Sequence, residues 1–330
     1  MSRSGTRAFG STLAIALALA LALAVALAGC RAPEPALRVG TLAWPPYDLA
    51  YLAQQRGDLD SERIELVEFQ TPAELVRSFR YGLVDAMFVT SHFALSTAHD
   101  MPDSRIVYIV DVSLGGDALL ARPGIESAEQ LRGARIGVEA APLGIYMLVR
   151  ALNLLDLDRD DVEIVHVDTP DQTEAFLSGR VDAVVTYEPT RTMLLANGAN
   201  QLFGSEQIPF EIIDVLMTRE TTLEDRTDDL IGLVEAMNRA LTAYRDDPQE
   251  SSVIMADRRE VPVEQFRDAM QSVRLFDIED NHRLLRADDG PVRRGLLEQC
   301  EVMVREGLLV TTPDFEPLID RRIVEAAHDR

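Results

Sequence analysis

One stretch of this chain occurs twice. Phe79, Gly82, Val84, Asp85 and Ala86 return as Phe176, Gly179, Val181, Asp182 and Ala183, an offset of 97 residues. The same offset matches Arg38, Val39 and Gly40 with Arg135, Ile136 and Gly137, and Pro45 with Pro142. One residue of slippage intervenes, since Thr71 and Pro72 align with Thr169 and Pro170. So long a period excludes a solenoid and predicts two similar α/β lobes facing each other. In each copy a helix ends at a glycine, Gly82 or Gly179, where a left-handed residue is needed. A short β-branched run follows, residues 84–89 and 181–185, of the length and composition of a strand buried on both faces. These strands stop at Thr90, Ser91 and His92 in one copy and at Thr186, Tyr187 and Glu188 in the other. Open α/β sheets bind ligands at the carboxyl ends of their strands, so these tips are where function is expected. Asp85 and Asp182, at the opposite ends, read as helix-to-strand junction residues.

Composition narrows the function classes. The 32 basic and 55 acidic residues leave a formal charge of -23, the wrong sign for nucleic acid. An anionic ligand would have to be captured locally, against the field of the whole molecule. No lysine occurs anywhere in the sequence. That excludes Schiff-base chemistry, pyridoxal phosphate anchoring and a phosphate-loop lysine. His92, His99, His166, His282 and His328 are scattered without metal-ligand spacing, and no Ser or Cys sits in a nucleophile-elbow pattern. Neither metal, cofactor nor catalytic residue is expected.

At the amino terminus, Arg3 and Arg7 precede an apolar run from Leu13 to Ala28. It reads as a signal-peptide core, too short and wrongly flanked for a spanning helix. Leu27, Ala28, Gly29 and Cys30 then resemble a bacterial lipobox. The resemblance implies a signal peptide over 1–29, lipidation of Cys30, and a tether over 30–36 that anchors the protein in the periplasm or at the cell surface. Only Cys300 then remains, so no disulfide is expected; within its amphipathic stretch it reads as a small core residue.

The rest of the chain alternates strand and helix. Strands are expected at 37–42, 64–69, 105–111, 135–138, 162–167 and 211–217. Thr71 is placed to cap a helix starting at Pro72, with Glu74 at the capping-box position. Helical patterns dominate from Leu223 onward and are expected to pack back onto the first lobe.

Trp44 and Tyr47 after the first strand, the Gly-Leu-Val-Asp-Ala and Gly-Arg-Val-Asp-Ala repeats, Leu131-Arg132-Gly133 before the Arg135 strand, and the Thr186-Tyr187-Glu188-Pro189 tip occur in a telling order. Over roughly residues 37–245 it resembles the solute-binding lipoproteins of nitrate/sulfonate/taurine-type ABC importers. The resemblance implies a periplasmic-binding-protein type 2 clamshell: lobe 1 from 37–120 and 214–330, lobe 2 from 121–213, joined by hinge strands near Asp117 to Pro123 and Glu211 to Arg219. It also implies a monomer that closes on a small molecule and delivers it to a permease and its ATPase. Related pyrimidine-precursor synthases of thiamine biosynthesis use a lysine-bound cofactor, which this lysine-free chain cannot hold. A ligand-sensing subunit of a membrane receptor would need the same clamshell and stays open as an alternative.

Carried onto this sequence, the cleft positions of that family fall on Trp44, Tyr47, Thr90, Ser91, Gly116, Asp117, Glu139, Ala141, Tyr187 and Glu188. One departure bears on the ligand. Anion binders of the family open the first long helix of the second lobe with a Gly-Ser or Gly-Thr pair, whose amides and hydroxyl hold the anion. Here Ala140, Ala141, Pro142 and Leu143 stand there, and Pro142 lacks an amide hydrogen. With Asp117 and Glu188 near Trp44 and Tyr187, a cationic or amine-bearing ligand is expected. Glu188 has a second reading, as a carboxylate that favours the start of its own helix.

Overall fold

The computed structural model describes residues 34–286 and 289–330; the signal segment and Cys30 lie outside them. From Ala36 to Arg330 the chain is one compact unit. No helix among the described residues is long and apolar enough to cross a membrane.

In chain order the strands are β1 (Leu37–Thr41), β2 (Ile64–Glu68), β3 (Ala86–Thr90), β4 (Ser104–Ser113), β5 (Asp117–Ala121), β6 (Arg135–Val138), β7 (Glu163–His166), β8 (Ala183–Tyr187), β9 (Asn200–Gly204), β10 (Ile213–Arg219) and β11 (Val273–Leu275). They form two sheets, one of six strands in the order β11-β4-β10-β3-β1-β2, the other of five in the order β7-β6-β8-β5-β9. The expected pair of α/β lobes is what is found. Each has a parallel core, β1 with β2 and β3 in the first, β6 with β7 and β8 in the second. The short edge strands β9 and β11 carry little apolar pattern and were not anticipated from the sequence.

The repeat is a repeated clamp. Arg38 donates from its backbone nitrogen and Nε to Asp85 Oδ2 at 2.9 and 3.0 Å, and from Nη2 to Asp85 Oδ1 and the Gly82 carbonyl, both at 2.8 Å. Arg135 makes the same set with Asp182 and the Gly179 carbonyl, at 2.9 to 3.0 Å. Gly82 and Gly179 hold positive φ, 70° and 77°. Each aspartate thus fastens a helix-to-strand turn onto the first strand of its lobe, at the strand ends remote from Thr41 and Thr90. Burial alone would raise the Asp85 carboxyl, but the bonds from Arg38 win and hold it below its usual range. At Asp182 the bonds from Arg135 dominate, with the same outcome.

The chain passes between sheets twice. The sequence reading put the hinges in the extended runs Asp117 to Pro123 and Glu211 to Arg219, with lobe boundaries at 120/121 and 213/214. In the structure Asp117–Ala121 pairs entirely within the second sheet as β5, and Ile213–Arg219 entirely within the first as β10. The crossings are the shorter segments 114–116 and 205–212. Both extended runs satisfy their backbone groups by entering ladders, which leaves the segments holding Gly115, Gly116 and Ser205 to make the passage. The two crossings touch: Ser113 Oγ and Ser205 Oγ are 2.7 Å apart, and the Gly115 amide donates to Ser205 Oγ at 2.7 Å.

The long helix Thr227–Asp246 packs on helix Asp48–Arg56 of the first lobe, as expected. Helix Pro291–Arg305 does more, lying against both Ser91–Asp100 of the first lobe and Pro142–Leu154 of the second. Cys300 on it is fully buried.

The two clamps give a direct expectation for stability. Asp85→Asn and Asp182→Asn should each cost about 1 kcal/mol, the lower end for a hydrogen bond to a partly exposed charged group. Because the sites lie in different lobes, the double variant should lose the sum. Urea unfolding checks this, and a double variant no less stable than either single would contradict it.

Candidate functional site

Between the lobes lies a cavity of about 240 Å³. Its first-lobe wall comes from the segment after β1, from the tip of β3 and from β10. There Trp44 precedes a tight turn, Pro45–Tyr47, whose two prolines preset the backbone. The second-lobe wall comes from the tip of β8 and from Leu143, Thr169, Pro170, Thr173, Pro189 and Thr190. Asp117, first residue of β5, stands directly across from Tyr187 on β8.

Five of the residues expected from the sequence line this cavity: Trp44, Tyr47, Thr90, Asp117 and Tyr187. The other five sit elsewhere. Ser91 is fully buried and donates to Gln299 Oε1 at 2.7 Å, tying helix Ser91–Asp100 to helix Pro291–Arg305. Gly116 lies behind the wall, where a Cβ would come within 2.8 Å of the Trp44 ring. Its role is to let that ring approach. Ala141 caps helix Pro142–Leu154 without a side-chain bond, and Leu143 lines the cavity in its place. Glu139 sits against Thr169, and burial pushes its carboxyl up to about 7. Glu188 is fully buried and fully committed, accepting from Arg191 Nη1 at 2.9 Å and from the Thr192 amide and hydroxyl at 3.1 and 2.8 Å. The helix-start reading of Glu188 is therefore the one the structure supports, and its expected ligand contact is corrected.

Two carboxylates that the sequence reading passed over are central instead. Asp111 of β4 and Asp214 of β10 face each other in register, and Asp214 is also paired with Thr90. The two carboxyls lie within hydrogen-bonding reach of each other. Tyr47 donates its hydroxyl to Asp214 Oδ1, and Trp44 Nε1 donates to Asp111 Oδ2 at 3.2 Å. Burial raises both carboxyls well above their usual range; the Asp214 charge adds to the rise at Asp111, while bonds with Tyr47 and Asp111 pull against it at Asp214. One shared proton between Asp111 Oδ1 and Asp214 Oδ2 would then leave every oxygen of the pair bonded. The signal was present in the sequence: a single carboxylate inside an apolar strand, Val110-Asp111-Val112 and Ile213-Asp214-Val215, is a buried charge that requires a partner.

Asp117 completes the acidic end. Its carboxyl is pushed up to about 7, chiefly by burial and further by Asp214 and Glu188, against the opposing pull of the Ser113 hydroxyl and Arg191. Asp117 Oδ2 and Thr90 Oγ1 are buried with no hydrogen-bond partner within the protein. Arg191, the nearest guanidinium, is held by Glu188 and by Gln201 Oε1 at 2.8 and 3.1 Å and does not line the cavity. The aromatic walls are set by packing. Trp44 meets Tyr187 edge-on at 6.3 Å, and Tyr47 stacks on Phe88 at 5.4 Å. The Tyr187 hydroxyl lies 3.2 Å from Thr169 Oγ1. Such a site can take a flat or compact organic molecule whose polar end donates hydrogen bonds.

Two α/β lobes joined by two crossings, with a partly open cavity between them, describe the periplasmic-binding-protein fold. The alkanesulfonate-binding protein SsuA of Xanthomonas axonopodis pv. citri, bound to MOPS, matches at TM-score 0.70 and 17% identity, over 88% of this chain and 100% of that one. The desulfurization enzyme DszB matches at TM-score 0.68 and 19% identity, over 90% and 99%. At these identities the likeness is one of fold. In sequence, residues 50–251 match the NMT1/THI5 like family, and the chain belongs to it. A putative ABC transporter periplasmic binding protein of Brachyspira hyodysenteriae is 20% identical over 56% of this chain and 58% of its own length. The match spans 58% to 66% of the curated relatives' lengths.

Asp117 has a measurable signature. Between about pH 4, where an unfolded Asp releases its proton, and about 7, the folded protein retains a proton that the unfolded chain has lost. That proton stabilises the fold at low pH, and the contribution is lost as pH rises through 7. Asp117→Asn removes the dependence. Melting of the ligand-free protein should show the variant gaining stability over wild type at pH 8 and little at pH 5; an equal difference at both pH values would refute the shift.

Proposed function

We propose that this protein is the solute-binding component of an ABC importer, anchored to the membrane by lipid on Cys30, and that its solute is a cationic, amine-bearing organic molecule. The two lobes close over the solute, and the closed form docks on a permease whose ATPase drives uptake. The binding proteins among its relatives support the general role. The observation that carries the solute class is the acidic end of the cavity, where Asp117, Asp214 and Asp111 converge with no free guanidinium among the lining residues.

The sulfonate named for SsuA fits this cavity poorly. An anion would face Asp117 and Asp214, with Asp111 behind them, and would have to hold all three protonated, since like charges repel strongly in a poorly hydrated site. It would also find Pro142 and Ala141 where a helix start would need to offer amides and a hydroxyl. A cation gains on both counts. It ionises Asp117 and Asp214, forms charge-assisted bonds to them, and lies against the Trp44 and Tyr187 rings. The DszB likeness raises catalysis as a rival. Against it, Cys300 is buried on helix Pro291–Arg305 outside the cavity, and burial raises its thiol to about 12.

Calorimetry on a panel of small amines, nitrate, sulfate and taurine tests the solute class. The amines should bind best, and Asp117→Asn should weaken them by at least about tenfold, the loss of one charge-assisted bond. Tight taurine or sulfate binding that Asp117→Asn leaves unchanged or improves would refute the cationic reading. Anchoring is tested separately. Cys30→Ala should leave an unprocessed or soluble form, and wild-type membrane fractionation with unchanged mobility would rule lipidation out.

A further inference from the structure

The cationic reading leaves two quite different recognition modes. A quaternary ammonium is held by aromatic faces and forms no hydrogen bond. A primary ammonium brings three N–H donors. The walls contain aromatic rings, but their arrangement does not make a cage. Tyr47 has its face stacked on Phe88 and its hydroxyl spent on Asp214, and Trp44 presents its edge geometry to Tyr187.

What the site does present is unspent acceptors. Asp117 is 3% exposed, lines the cavity, and its Oδ2 has no partner within the protein. Thr90 Oγ1, at the tip of β3, is likewise buried, cavity-lining and unpartnered. Asp214 lies directly opposite Thr90 in the ladder, so the two side chains share one face of the sheet. Asp214 is near enough to Asp117 for its charge to oppose ionisation of Asp117. A buried acceptor without a partner is costly, and a methylated nitrogen would leave Asp117 Oδ2 and Thr90 Oγ1 in that condition while offering Asp214 no N–H.

We infer that this end of the cavity is a seat for a primary ammonium group, which donates one N–H each to Asp117 Oδ2, Thr90 Oγ1 and the Asp214 carboxylate. The inference rests on the cationic reading and adds to it the discrimination between protonated and methylated amines. Seating the cation ionises Asp117 and Asp214 while the shared proton stays on Asp111, so the cation displaces the Asp117 proton to solvent. Thr90 is the discriminating residue, because its hydroxyl is the one neutral acceptor of the three and serves hydrogen bonding alone.

The test uses the full chain and benzylamine, n-butylamine and 2-phenylethylamine, each titrated beside its N,N,N-trimethyl derivative. The primary amines should bind at least about tenfold tighter than their trimethyl partners, the worth of one buried charge-assisted bond or more. Titration in buffers of different ionisation enthalpy should show proton release. Thr90→Val, which keeps the shape, should weaken the primary amines by about tenfold and leave the trimethyl series nearly unchanged, while Thr90→Ser restores the preference. Trimethyl derivatives binding as well as the amines, or a Thr90→Val variant with an unaltered preference, would overturn the ammonium seat and leave the cationic reading standing. Binding by neither series would overturn both.

Discussion

The structure turns on one strand arriving late. β10 enters the first sheet only after the chain has built the whole second lobe, and it takes the middle position between β3 and β4. Until it arrives, two of the most apolar strands of the first lobe lack a neighbour and their ladder groups lack partners. The insertion therefore closes the first core and forces the second crossing in the same step. It also decides what faces the cleft, because its register puts Asp214 beside Thr90 on one side and Asp111 on the other. Neither carboxylate would be near the other, or near the cleft, without it.

That placement runs against ordinary burial energetics. Three carboxyls in a water-poor seam, in a chain already strongly negative, cannot all ionise cheaply. The fold manages them with neutral donors, the Tyr47 hydroxyl, the Trp44 indole and the Ser113 hydroxyl, and not with arginine. Elsewhere in the molecule the solution is the opposite one. Asp48 is clamped by Arg258 and Arg259, and Asp229 by Arg226 and Arg63. Among the described residues this group of acids has no arginine bonded to it, in contrast to Asp48 and Asp229.

Much of the fold was legible in the sequence because the repeat carries its own clamp. Arg38 with Asp85 and Arg135 with Asp182 keep the same spacing, and the residues that make the turn are the residues that repeat. The hinges were misplaced because Asp117–Ala121 and Ile213–Arg219 both run extended beside the lobe boundary, and an extended run does not say which sheet it joins. The site was half legible. Trp44, Tyr47, Thr90, Asp117 and Tyr187 stand at strand tips or turns, where local pattern points. Asp111 and Asp214 acquire their meaning from a cross-strand register that links positions far apart in the chain. Glu188 looked equally exposed to a ligand, but its hydrogen bonds are all local, to Arg191 and Thr192.

The contact between Ser113 and Ser205 has a mechanical consequence. Two independent connections between lobes would permit sliding and twisting as well as bending. Here the two connections are hydrogen-bonded side by side, Ser113 and Gly115 to Ser205 and the Ser113 amide to the Ile212 carbonyl, and the Leu114 and Gly116 amides are further pinned to the Ser272 carbonyl at 2.8 and 3.1 Å. Connections tied together in this way oppose independent sliding of the two lobes, and helix Pro291–Arg305 adds a further link between them. Asp117 begins immediately beyond these bonds, so the acid of the cavity is anchored at its most tightly tied end.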